Sequence, residues 1–231
     1  MRRRLLRVAG TLLVVAGVLT LVWAVTVWQW QDPVTAIANG LEQRELEQEF
    51  ERLVDAPSAR PLATTASPEK RRRDLAAAAK AFRSQLARGD AVARLRLPTL
   101  GVDEIVVNGT DTATLKRGPG RYLGSAVPGE GQLVYVAGHR TTYGAPFSRI
   151  DRLRKGDKVV VELPYAAYEY RVTGHRIVPA TELSVLESKG VEQLALQACH
   201  PRFFASHRWI TYARPVAVTP AGGERQALAA G

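Results

Sequence analysis

The chain has 231 residues but one cysteine, one methionine, four histidines and only 7% aromatic residues. A lone cysteine cannot close an internal disulfide, so no covalent cross-link holds this fold. No zinc-type cysteine spacing and no glycine-rich phosphate loop appear anywhere. The histidines nearest the cysteine, His200 and His207, do not complete a metal set: adjacent Cys199 and His200 point to opposite faces of a strand, and structural zinc needs four ligands at recognisable intervals. Nucleotide, metal and cofactor chemistry are therefore not expected. Negative charge is also in short supply, with 22 acidic against 32 basic residues and a net charge of +10. Such an excess often marks nucleic-acid binding, but the cellular address read from the N-terminus argues against it.

Long apolar runs are scarce as well, and the single one is informative. Arg2, Arg3, Arg4 and Arg7 precede an uncharged stretch from Val8 to Trp28, which is the ~20 residues a helix needs to cross a bilayer. Basic flanks stay on the cytoplasmic side, so the remainder of the chain is expected outside the cell membrane. Trp23, Trp28 and Trp30 suit the outer interfacial belt. The stretch exceeds a signal-peptide core, and no small-x-small site closes it before Trp28, so it reads as an uncleaved anchor. At that address nucleic acid is not a partner, and the positive charge reads as solvated surface. The expected order is a basic tail at 1–7, an anchor at 8–30, a partly helical stalk at 31–90, a folded domain at 91–219, and a polar tail at 220–231 without a second span.

Within the stalk, Leu46, Phe50, Leu53 and Val54 recur at helical spacing, as do Leu75, Ala79, Phe82 and Leu86. The second helix has a cap at Ser67 with Pro68 in its first turn. Both stripes are narrow and do not specify what they pack against. Arg71, Arg72 and Arg73 read as a solvated helix face. The Ala-Pro-Thr-Ser portion near 56–68 is expected to be the flexible part.

From Ala91 the pattern changes to short apolar runs broken by Gly and Pro, the signature of an all-β barrel or sandwich. Strands are expected at 94–97, 104–107, 132–137, 158–163, 167–178, 194–198 and 209–218. Alternation is clearest at Arg94-Leu95-Arg96-Leu97, where the leucines face inward.

Cys199 ends one of these runs, Leu194-Ala195-Leu196-Gln197-Ala198-Cys199, where a strand stops and its last side chain becomes reachable. A buried structural thiol is the common fate of a free cysteine. Here, however, His139 follows the apolar run Val134-Tyr135-Val136-Ala137-Gly138, and Arg208 opens the next one. Three chemically complementary side chains therefore sit at strand ends. Arg202 and Arg214 are alternatives for the arginine, but Arg214 lies too far along its strand. Tyr143, in the loop after His139, either lines a binding groove or packs on Pro146 and Phe147.

The segment Ala195-Leu196-Gln197-Ala198-Cys199 resembles the sortase signature Thr-Leu-x-Thr-Cys, with the histidine upstream and the arginine on the next strand. Gly138 to Phe147 and Cys199-His200-Pro201-Arg202-Phe203 are most similar to class E sortases, and the resemblance covers roughly residues 91 to 219. It implies a closed β-barrel of about eight strands with short helices. It also implies a cysteine transpeptidase in which Cys199 is the nucleophile, His139 the proton carrier and Arg208 the partner of the developing oxyanion. The implied partners are secreted proteins bearing a C-terminal sorting signal of LAXTG or LPXTG type and a peptidoglycan precursor amine. Both signature threonines are alanine here. The resemblance assigns the position before the cysteine to substrate binding or oxyanion support, so Ala198 predicts a weakened contact, and one lost donor costs on the order of a hundredfold in rate. Two other readings stay open at this level: a hydrolase with the same dyad, and a catalytically silent barrel that binds wall peptides.

Overall fold

In the computed structural model the described residues are 2–30, 33–56 and 67–228. Three helices precede the barrel: α1 (Arg2–Trp30), α2 (Pro33–Val54) and α3 (Pro68–Gln85). Then come β1 (Ala91–Leu97), β2 (Val102–Asn108), a short helix α4 (Thr112–Arg117), β3 (Gly120–Arg121), β4 (Leu133–Ala137), β5 (Lys158–Leu163), β6 (Ala166–Pro179), β7 (Gln193–His200), β8 (His207–Pro220) and β9 (Gln226–Ala227).

The sheet order is β6-β5-β1-β2-β3-β4-β7-β8-β9, and β6 also pairs with β8. That second pairing, from Ala166 opposite Pro220 to Pro179 opposite His207, closes eight strands into a barrel and leaves β9 as an addition to the edge of β8. Closure removes the exposed strand edges that an open sheet must protect. All seven expected strands are present, most of them longer by a few residues. The two missed ones, β3 and β9, have two residues each and carry no periodicity to read. β7 runs past Ala198 to His200 because β8 keeps pairing with it there.

Alternation decides the two faces of each strand. Leu95 and Leu97 are fully buried in the barrel core, while Arg94 and Arg96 point away and pair with Asp103 and Glu162. On β7, Leu194, Leu196 and Ala198 enter the core. Ala195 lies on the other face, in a second apolar cluster with Leu133, Tyr135, Val178, Val185 and Ile210.

The segment expected as a stalk is docked on the barrel. Ser67 caps α3 through the Lys70 amide, and Leu75 and Ala79 enter the main core. Phe82 meets the Tyr165 ring edge-on at 5.7 Å. Helix α2 buries Leu46 and Phe50 against Ala91, Ile105 and Val107 on the outside of β1 and β2. This explains why Ile105-Val106-Val107 is an unbroken apolar run: Val106 faces the core and its neighbours face α2. Arg72 and Arg73 are exposed, and the linker expected near 56–68 falls mostly outside the described residues. By length and composition, residues 2–26 of α1 can cross a membrane, and none of that stretch is buried in the fold. The side chains of Trp28 and Trp30, assigned to the interfacial belt, lie outside the described residues.

Because Leu46 is fully buried and Leu41 on the same helix is 59% exposed, the docking can be tested directly. Leu46→Ala is expected to cost about 2–5 kcal/mol and Leu41→Ala less than about 0.5 kcal/mol, measured by denaturant unfolding of the full chain in detergent. Equal, small effects would show that α2 stands off the barrel.

Candidate active site

Cys199 and Arg208 are directly opposed in the antiparallel β7–β8 ladder, so their side chains leave the same face at the same level. That face carries Ala195 and Ile210, not the barrel core. His139 reaches the same rim by a different route. β4 runs parallel to β7 with Ala137 beside Gln197, and the Gly138 amide still donates to the Gln197 carbonyl at 2.9 Å. Two residues beyond this pair, the chains carry His139 and Cys199 respectively. The three groups that lie far apart in sequence are thus levelled by two strand pairings. Cys199, His139 and Arg208 are all half-buried.

Local packing holds His139 in place. A Cβ on Gly138 would lie 2.5 Å from the Phe147 ring, so only glycine lets the chain cross this buried aromatic. The Phe147 amide then donates back to the His139 carbonyl at 3.1 Å. Tyr143 sits beside the imidazole, with ring centroids 5.1 Å apart and planes tilted by 44°. Lys116 Nζ lies 5.5 Å from the centre of the Tyr143 ring. Burial, and secondarily the Lys116 charge, hold the imidazole below the ordinary histidine range. His139 therefore stays neutral to lower pH than a solvated histidine, ready to accept a proton.

The Arg208 guanidinium donates through Nη1 to the Ala205 carbonyl at 2.7 Å and the His207 carbonyl at 3.0 Å. These bonds tie it to the β7–β8 loop, which also carries Phe203 and Ala205 at positive φ. Below the three groups, on the same outer face, Tyr135 donates to Gln197 Oε1 at 2.7 Å. Leu133, Tyr135, Val178, Val185, Ala195 and Ile210 form one buried apolar cluster there.

Ala198 is not where its predicted role requires. It is fully buried in the barrel core, on the face of β7 opposite to Cys199. Its methyl group cannot meet a substrate lying on the outer face, and a threonine there would face the core too. Position 198 can contribute to substrate binding only through its backbone. His175 stacks on Trp209 at 4.1 Å, and His200 lies 5.8 Å from the same indole. Among the described residues there is no metal-ligating cluster.

One further arginine beside these groups was missed by sequence reasoning. Arg140, next to His139, is 4% exposed. It donates to the Cys199 carbonyl at 3.1 Å, contacts His200 Nδ1 at 3.0 Å and pairs with Asp151 at 3.1 Å. It therefore clamps the backbone of the cysteine to the loop of the histidine. The only available signal was its adjacency to His139, which does not separate it from any other arginine.

With this geometry in place, the relatives are decisive. A sortase domain model matches residues 95–216, more than half of the chain. The chain belongs to the sortase family. Sortase D of Bacillus subtilis is 31% identical over 132 residues, covering 55% of this chain and 65% of that protein. Among solved structures, sortase E1 from Streptomyces coelicolor, with a tripeptide in its active site, is 26% identical with a TM-score of 0.54, covering 59% of this chain and 95% of that one. The Clostridium perfringens sortase D5 transpeptidase has a TM-score of 0.58 at 20% identity, covering 76% and 98%, and supports the fold alone. The chain thus spans about two thirds or less of the curated sortases it matches. Proteins named sortase A, D and E1 are all among them, so the family is shown at a coarser level than class.

Two outcomes follow from the geometry. Lys116→Gln removes the secondary cause that opposes protonation of His139, so the imidazole should titrate at higher pH than in the parent protein, still held down by burial; NMR of the ring protons measures this. Arg140→Met strips the Cys199 carbonyl and His200 of their shared donor and should cost about 2 kcal/mol in denaturant unfolding, since Asp151, 45% exposed, can rehydrate.

Proposed function

We propose that this protein is a membrane-anchored cysteine transpeptidase of the class E sortase type. In this reading it cuts a C-terminal sorting signal of LAXTG or LPXTG form between Thr and Gly and joins the acyl product to a peptidoglycan precursor amine. The single observation that carries it is the cross-strand pair Cys199–Arg208 on one face, with the parallel β4–β7 register bringing His139 to the same rim. The tripeptide in the active site of the Streptomyces sortase E1 supports a peptide as ligand of this cleft.

The chemistry follows from those three groups. Cys199 Sγ gives its proton to His139 and attacks the threonine carbonyl carbon, so the carbonyl oxygen becomes negative within reach of the Arg208 guanidinium. Collapse breaks the carbon–nitrogen bond, and His139 returns its proton to the departing glycine amine. The product is a thioester. An incoming amine then attacks it, loses its proton to His139 and expels Cys199 as thiolate, which recovers that proton. Covalent catalysis replaces one difficult step with two easier ones. Arginine suits its place because it stays protonated and presents a rigid fork of donors. Tyr143 lines the substrate cleft beside the imidazole. Helix α1 holds the enzyme in the membrane with its basic end inside.

The test uses the full chain in detergent, because α2 and α3 are packed into the fold. Incubation with an LAXTG or LPXTG peptide should give an acyl adduct on Cys199 by intact mass, absent in Cys199→Ala, and an added amine should divert product from the free acid. Arg208→Lys is expected to slow adduct formation by about a hundredfold or more. No adduct on the parent protein with either peptide sinks this reading.

A further inference from the structure

Helix α2 does more than cover the apolar patch on β1 and β2. Near its N-terminal end it inserts a polar residue where a plain packing helix would place an aliphatic one. Asn39 is 4% exposed, and burying an amide is unfavourable unless its hydrogen bonds are made. Its Nδ2 donates to the carbonyls of Lys116 at 3.2 Å and Arg117 at 3.1 Å. Those are the last residues of α4, where helical carbonyls lack partners in their own helix. One turn on, Gln43 donates to the Arg117 and Ile105 carbonyls and accepts from the Ile105 amide. Two amides therefore key α2 into the backbone around α4.

The other side of Asn39 reaches the loop that carries His139. A Cβ on Gly144 would lie 2.4 Å from Asn39 Oδ1, and Gly144 has φ +70. Gly144 therefore has no side chain both because of its own backbone and because Asn39 occupies the space. Its neighbour Tyr143 sits beside His139, and Lys116, whose carbonyl Asn39 holds, places its ammonium group over the Tyr143 ring. A continuous path of contacts thus leads from helix α2, through one amide, to the Tyr143 ring beside the imidazole and to Lys116 over that ring.

We propose that Asn39 is a positioning residue for His139 and Tyr143, and that helix α2 is through it a working part of the active site. The inference rests on the reading of His139 as the proton carrier. Under it, a sorting enzyme cut free of its membrane-proximal helix is a slower enzyme with an intact groove.

The experiment uses the full chain in detergent micelles, with Asn39→Ala, Gly144→Ala and the double variant. Hydrogen exchange follows the amides of Ala145, Phe147 and Ser148, which bond to the carbonyls of Thr142, His139 and Ala145, with β5 and β6 amides as reference. Asn39→Ala should speed exchange of the three loop amides about tenfold or more and leave the reference amides unchanged. In turnover of an LAXTG peptide, kcat should fall about tenfold with KM within about twofold, since the β7–β8 face that carries Cys199 and Arg208 is untouched. Gly144→Ala alone should also be slow, because its methyl meets Oδ1. In the double variant the remaining Asn39 Cβ position is 3.6 Å away, an ordinary contact, so the combined loss should be smaller than the product of the single losses. Parental loop exchange in Asn39→Ala overturns the proposal, and so do losses that simply multiply. If the parent protein forms no acyl adduct, the transpeptidase reading fails instead, and the exchange measurement alone decides whether Asn39 holds the loop.

Discussion

The arrangement depends on strand register. β7 is flanked by a parallel partner, β4, and an antiparallel one, β8, and its own pleat sends Cys199 to the outer face. Parallel pairing to β4 brings the chain after Ala137 to the level of the chain after Gln197, which fixes the height of His139. Antiparallel pairing to β8 sets Arg208 directly across from the thiol. A slip of one residue in either ladder would turn one of these side chains into the barrel core. The closed barrel protects this register, since β8 is held by β6 over its length as well as by β7.

Around that frame, buried polar groups tie loops to strands. Arg140 joins the His139 loop to the Cys199 carbonyl and to Asp151. Elsewhere in the domain, Arg121 is held by Asn108 and by the Ser125 carbonyl, with burial lowering its pKa to about 10. Glu192 accepts from the Gly129 and Gly131 amides and the Tyr170 hydroxyl at the start of β7. Each replaces an apolar contact with directional bonds, which stabilise only one arrangement of the segments they join.

Much of the barrel was legible in the chain itself. The alternation at Arg94 to Leu97, the apolar runs at 132–137 and 158–163, and the turns between them follow from local periodicity. The two strands without periodicity, β3 and β9, did not appear. The docking of α2 was invisible because Leu46 and Phe50 make a narrow stripe, and a stripe does not name its partner. Its trace in β2, the unbroken run Ile105-Val106-Val107, could be read only once both of its faces were seen to be covered. Ala198 was assigned to substrate binding by the resemblance to the sortase signature, whereas the pleat of β7 sends its side chain to the face opposite Cys199, into the core.

By itself the sequence determined which residue types are available: one thiol, a histidine and an arginine at the ends of apolar runs, and a single stretch long enough to span a bilayer. These are local properties, set by composition and by periods of two or 3.6 residues. Only the tertiary structure decided that Arg140 bonds to the Cys199 carbonyl, that Asn39 lies against Gly144 in the His139 loop, and that the side chain of Ala198 faces the core. Those outcomes depend on which strands pair and which helix lies against which loop, and such long-range contacts leave no periodic mark on the segments that make them.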